Sequence, residues 1–241
     1  MLRLADNRDT LIVNACDYYG KKVDSYYKAY GTRYDFCRFY SNDNGGIILM
    51  YNALAVVCGE GFDADELTEF IRVFSPASIE MPPDLFSILV ISGYTAKRRT
   101  MFRMAAFPTQ SREKLHINKD FPLAFSILRE GFPMTEDDYP QWYTDLSHRI
   151  RHGTAALYTY GGHSTAALQF CADGFAFVSH IATAENERGK GYAREMLYKI
   201  SAAFDKSGDV GYLWALGHRT SYYSSIGFTP VGHDFLLEMT D

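Results

Sequence analysis

Cysteine is scarce in this chain: four in 241 residues, with no Cys-x-x-Cys pair among them. Cys16, Cys37, Cys58 and Cys171 are too scattered for a zinc site and suggest no disulfide framework. They read as reduced thiols of a cytoplasmic protein. Long apolar runs are missing too. The longest, Gly45 to Gly59, is broken by Tyr51 and Asn52 and is too short to span a bilayer, so no membrane partner is expected. The first residues, Met1 to Asp9, lack the apolar centre of a signal peptide. Positive charge is in deficit, with 24 Lys and Arg against 29 Asp and Glu, for a net −5. That balance argues against nucleic acid as a partner. No low-complexity segment or short repeat is present.

What the chain does contain is an ordinary globular complement, 47% apolar and 22% charged, with 18 Tyr and 17 Phe. Its length allows one large domain or two small ones. The clearest polar break is Pro108 to Lys114, which predicts two domains, residues 1–110 and 111–241. After the break the elements alternate. A short strand fits Lys114–Asn118, and a helix fits Phe121–Arg129. A second helix starts at Thr135-Glu-Asp-Asp, a good N-cap followed by acidic residues, and runs to about Arg151. Ala155–Tyr160 and Thr165–Phe170 read as strands joined by the turn Gly161-Gly162-His163-Ser164. Phe175–Thr183 is a third strand. A helix from Gly191 to Gly208 carries Tyr192, Met196, Leu197, Ile200 and Phe204 on one stripe. A strand at Val210–Leu216, a short helix at Thr220–Ser225 and a strand at Thr229–Met239 complete the order. The first half gives a similar pattern. Helices fit Arg8–Tyr30, Asp63–Phe74 and Pro82–Ile91. Strands fit Phe36–Tyr40, Ile47–Tyr51, Leu54–Cys58 and Met101–Phe107. The fold class is α/β, an α+β mixed sheet, in two tandem modules of related shape.

The loop between Ile181 and Ala193 is the most informative stretch. A strand ends, a polar loop brings Arg188, Gly189, Lys190 and Gly191, and an amphipathic helix begins. Glycine lets a backbone approach a ligand closely. The first helical N–H groups have no partner within the helix, and its dipole favours an anion there. Two familiar diphosphate loops do not fit. The P-loop needs Ser or Thr after Gly-Lys, and here Gly191 follows Lys190. The dinucleotide fingerprint needs a third glycine where Arg194 stands.

Arg188-x-x-Gly191-x-Ala193 resembles the Gln/Arg-x-x-Gly-x-Gly/Ala signature of the GNAT superfamily, the GCN5-related N-acetyltransferases. Tyr223-Ser-Ser-Ile-Gly227-Phe228, 35 residues past Arg188, resembles the Tyr-x-x-x-Gly-Phe segment that closes the same core. The resemblance covers about residues 112–241. It implies a GNAT fold and acetyl-CoA as co-substrate, with no metal. It places the pyrophosphate on Arg188, Gly189, Lys190, Gly191, Tyr192 and Ala193, and the pantetheine arm along Ile181 and Thr183. It makes Tyr223 the proton donor to the departing thiolate. Two positions depart from the family: Leu216 stands in place of Asn, and Arg219 in place of Ala.

A neutral amine must lose a proton as it attacks a thioester. Some relatives place a Glu at the position of Phe175. With that carboxylate missing, His180 is the best local base, since imidazole is the side chain able to titrate near neutrality. The N–H of Ile181 would stabilise the oxyanion. Cys171 reads as core. His148 and His152 read as solvated helix residues without a third metal ligand. Arg98 and Arg99, near the domain junction, could face an acidic acceptor but read first as surface charges. The stretch Cys58 to Asp65 is acidic where a diphosphate loop would be cationic, so the first module is expected not to bind the coenzyme. The leading reading is N-acetyl transfer to a primary amine of a small-molecule or amino-acid-like acceptor. Alternatives are a non-catalytic acyl-CoA sensor or regulatory subunit and, more remotely, an acyltransferase acting on protein lysines or N-termini.

Overall fold

A computed structural model describes residues 1–5, 17–89, 91–109 and 111–240. The chain packs as two compact units, Met1–Thr100 with Gly232–Asp241, and Met101–Val231. The two units meet in sequence at 100/101, and the last ten residues belong to the first unit. No local signal marks that return, because it is made by strand pairing.

In unit 1 the elements are β1 (Arg3–Leu4), α1 (Tyr18–Tyr30), β2 (Cys37–Ser41), β3 (Ile47–Tyr51), β4 (Leu54–Cys58), α2 (Ala64–Phe74), β5 (Ser78–Met81), α3 (Pro83–Ile88) and most of β6 (Tyr94–Arg103). Strands β2, β3 and β4 form an antiparallel meander, with Cys37 opposite Tyr51 and Ile47 opposite Cys58. Strand β5 then pairs parallel with β4, Ala55 opposite Ile79. The end of β12 (Thr229–Met239) returns antiparallel to β5, Leu237 opposite Ile79. Ile48, Val57, Leu67, Ile71, Ile79 and Leu237 form the core of this unit.

Unit 2 runs β7 (Leu115–Ile117), α4 (Phe121–Arg129), α5 (Tyr139–Arg151), β8 (Ala156–Tyr160), β9 (Ser164–Ala172), β10 (Phe175–Thr183), α6 (Tyr192–Ser207), β11 (Val210–Leu216), α7 (Gly217–Ser225) and the start of β12. Strands β8, β9 and β10 are again an antiparallel meander, and β11 pairs parallel with β10. Each unit thus builds a meander, a helical crossover and a parallel strand, the connection a parallel pair requires. Four of the five stripe residues of α6 (Met196, Leu197, Ile200 and Phe204) are buried in the core of this unit with Ala176, Val178, Leu213 and Phe228.

Elements with a clear period match the sequence reading closely, as in α4, β3, β4 and β10. The differences have physical causes. Asp17 caps α1 by accepting from the Gly20 N–H at 2.8 Å, so that helix begins at Tyr18, and Arg8 to Cys16 lie outside the described residues. Strand β5 was not predicted, because its four residues carry Glu80 on the buried side. Strand β6 starts seven residues before Met101, through the charged run Lys97-Arg98-Arg99. Arg99 is 7% exposed and is no surface charge. Cys171 is exposed on β9 and not core, whereas Cys37 and Cys58 are buried.

Candidate functional site

The site in unit 2 begins with two strands that part. Strands β10 and β11 pair only over Phe175–Phe177 and Val210–Tyr212. Beyond that point the two strands have no paired residues with each other among the described residues, and the C-terminal half of β10 is left to line a cleft. In open α/β sheets ligands gather at such strand ends. The closed end is sealed by an aromatic stack, Phe175 on Tyr212 at 4.2 Å. A carboxylate at Phe175 would sit in that stack, away from the cleft.

Strand β10 is also bulged. Between Ser179 and Ala182 it runs three steps while β9 runs two, from Ala167 to Thr165. The extra residue is accommodated by His180, which takes φ +50°, a left-handed conformation that a non-glycine residue rarely adopts. The bulge re-aims the side chain. His180 Nδ1 lies 3.0 Å from Gln169 Nε2 and from Ser179 Oγ, and its ring is 5.8 Å from that of Phe132.

Past β10, a short helical turn at Glu185–Glu187 leads to Gly189 (φ +78°) and Gly191 (φ +86°). Gly191 is the N-cap of α6 and supplies no side chain to cap it. The first N–H groups of α6 are therefore left for a ligand. The contrast with unit 1 is direct. There Asp63 caps α2, its carboxylate accepting from the Glu66 N–H at 2.9 Å, so that helix start is already occupied by an anion.

A cleft of about 690 Å³ opens on this turn. Ile181, Thr183, Arg188, Gly189, Gly191, Tyr192 and Ala193 all line it. Of the predicted coenzyme residues only Lys190 is not part of the lining; its Nζ pairs with Glu187 at 3.0 Å. The Arg188 guanidinium is spent locally, donating to the Thr183 carbonyl at 3.2 Å and to the Glu130 carbonyl at 2.6 Å. It ties the end of β10 to the end of α4 and fixes the turn. Thr183 is held by a 2.9 Å hydroxyl contact with Ser164.

Helix α7 forms the opposite wall with His218, Arg219, Tyr222, Ser225 and Ile226. The two predicted catalytic side chains do not line the cleft. Tyr223 is buried, its ring stacked over Phe228 and near Phe102. Burial pushes its phenol well above the ordinary tyrosine range, with Arg219 opposing the shift. Its neighbour Tyr222 faces the cleft and is 39% exposed; burial also raises its pKa, and Arg194 opposes that shift. Gly227 has a steric reason: it takes φ +84°, and a Cβ there would fall 2.7 Å from the Phe107 ring. Glu130 and His218 line the cleft without having been singled out in the sequence, and Arg194 and Tyr222 line it without having been given a role there. Helical spacing offers a signal for Arg194 alone, three residues past Gly191. His148 stacks on His152 at 4.2 Å, and among the described residues no group of three or more His, Cys, Asp or Glu could hold a metal ion.

Compared by sequence, the chain matches no protein-family model and no curated protein. Compared by structure, it resembles several solved acetyltransferases. A GCN5-related N-acetyltransferase from Kribbella flavida is 16% identical, with 95% of this chain and 97% of that one covered at a TM-score of 0.64. Another from Sphaerobacter thermophilus is 13% identical over 98% and 94%, at 0.62. A GNAT-family acetyltransferase from Colwellia psychrerythraea is 12% identical over the whole of both chains, at 0.59. No helix among the described residues is long and apolar enough to cross a membrane. The chain has the fold of the GCN5-related N-acetyltransferases.

Proposed function

We propose that unit 2 binds acetyl-CoA and transfers its acetyl group directly to a primary amine of a small acceptor. One observation carries this reading. The uncapped start of α6, with Gly189 and Gly191 both left-handed, opens onto a cleft at the point where β10 and β11 part. A diphosphate suits the unpaired N–H groups and the helix dipole. An extended arm suits the cleft beside the end of β10, where Ile181 and Thr183 line it. Arg188 acts by holding the turn, while Arg194 supplies positive charge in the cleft.

The chemistry needs no covalent enzyme intermediate. The amine nitrogen attacks the thioester carbonyl, and the oxygen gains negative charge facing the Ile181 N–H. The C–N bond forms, the C–S bond breaks, and the nitrogen loses one proton to His180, directly or through water. The sulfur takes one proton from Tyr223, whose burial keeps it in the neutral, donating form. Catalytic contacts often tighten only when substrate binds, and Tyr223 sits directly behind the cleft residue Tyr222, at the wall that would move. A second reading is favoured by the cleft lining, in which Tyr222 gives the proton. Unit 1 serves as a degenerate module, since Asp63 fills the helix start that a diphosphate would need.

The test is release of free thiol from acetyl-CoA in the presence of a panel of primary amines, with products identified by mass. Turnover with at least one amine supports transfer. Tight acetyl-CoA binding with no thiol release for any amine favours a sensor or regulatory subunit.

A further inference from the structure

Three arginines line the cleft, and they are not equivalent. Arg188 donates to two carbonyls, and Arg194 lies 3.7 Å from Glu195. Arg219 pairs with no carboxylate among the described residues. Its Nε faces His218 Nε2 at 3.2 Å, and its guanidinium carbon lies 5.7 Å over the Phe132 ring. The same ring faces His180 at 5.8 Å. Phe132 therefore lies between the unneutralised cation and His180. The diphosphate turn belongs to a different element, the start of α6. A guanidinium presents a planar fork that matches a carboxylate. Held over an aromatic face, it keeps that fork in the cleft instead of folding back on a neighbouring acid.

We infer that Arg219 anchors the acceptor by its carboxylate, so that the substrate class is an amino acid or another amine that carries an acid group. This rests on the acetyl-transfer reading above. The carboxylate on Arg219 leaves the amine free to turn toward His180 and the thioester. The same residue breaks the family pattern at a position usually held by Ala, and it brings a guanidinium to the cleft wall where Ala has no polar group.

The experiment uses the full chain and its Arg219→Ala and Arg219→Lys variants. Each is first titrated calorimetrically with acetyl-CoA, then assayed for thiol release with matched pairs of amino acids and their carboxamides. The wild type should prefer the acids. Arg219→Ala should raise KM for the acids by roughly 10- to 100-fold, the scale of a charge-assisted hydrogen bond. It should leave the carboxamides and acetyl-CoA affinity nearly unchanged, with Arg219→Lys intermediate. Equal treatment of acid and carboxamide by the wild type overturns the inference. So does a loss that appears as weaker acetyl-CoA binding and vanishes with 3′-dephospho-acetyl-CoA, since Arg219 would then read a coenzyme phosphate. If no amine is turned over, the acetyl-CoA-loaded protein is titrated with the same amino acids. Binding that Arg219→Ala removes supports the anchor, and no binding refutes it. If acetyl-CoA itself does not bind, the first titration shows that the underlying reading has failed.

Discussion

Arg99 and Asp234, 135 positions apart, form a two-armed ion pair inside unit 1: Nε to Oδ1 at 2.9 Å and a terminal guanidinium nitrogen to Oδ2 at 2.5 Å. The Asp234 side chain is wholly buried. Arg99 also reaches Glu80 at 3.2 Å, and Lys22 meets the other Glu80 oxygen at 2.8 Å. The hydroxyls of Tyr18 and Tyr19 donate to Glu80 and Asp234. The network joins α1, β5, β6 and β12. Removing one partner from a buried pair strands the other charge, which outweighs the modest net gain of forming it.

Asp234→Ala should therefore destabilise the protein by about 3–5 kcal/mol. Urea denaturation followed by fluorescence measures it. A loss within 0.5 kcal/mol, the ~0.5 kcal/mol typical of surface substitutions, would mean that the fork is not retained in solution.

Stability should also depend on pH through the same network. Burial alone would raise the Glu80 carboxyl, but Lys22 and Arg99 outweigh it and bring it down to about 2. A depressed carboxylate stabilises the fold above its unfolded value of about 4.3. That contribution is lost as pH falls from there toward 2. At the alkaline end, burial foremost and the facing carboxylates next raise Tyr18 and Tyr19. Their unfolded forms ionise first, so stability should fall as pH rises above about 10. Melting temperature against pH reads both limbs. In Glu80→Gln the acid limb should flatten, and an unchanged limb would assign it to other carboxylates.

Gly191→Glu should abolish acetyl-CoA binding, and Gly191→Ala should weaken it. The position has φ +86°, which costs a non-glycine residue about 1–2 kcal/mol. Steric conflict is minor, because an added Cβ meets only the tip of Arg194, at 3.2 Å. Calorimetry with acetyl-CoA measures the change, and retained affinity in Gly191→Glu would show that the turn does not cradle the diphosphate.

Tyr223→Phe should lower kcat by roughly 10²–10⁴ with acetyl-CoA affinity nearly intact, the usual range for a lost general acid. Tyr222→Phe should change it far less. The reverse ranking would transfer the role to the residue that lines the cleft. Equal rates in both variants and wild type would leave solvent as the donor.

The start and end of α6, the meander before it and the glycine-bounded turn were legible in the sequence. Each is set within a few residues, by a 3.6- or 2-residue apolar period, by a glycine free to take positive φ, or by a helix start without a cap. The motif Tyr223 to Phe228 was legible only through its resemblance to a family segment, and the structure adds that the Phe107 ring leaves no room to replace its glycine. Chain order alone could not show that Arg99 lies buried, that Cys171 lies at the surface, or that the last strand returns to β5. Nor could it show that Arg188 is spent on carbonyls while Arg219 has no carboxylate partner among the described residues. Those outcomes depend on which groups meet across tens or hundreds of positions. A charge is worth what its surroundings make it, and only the tertiary structure supplies those surroundings.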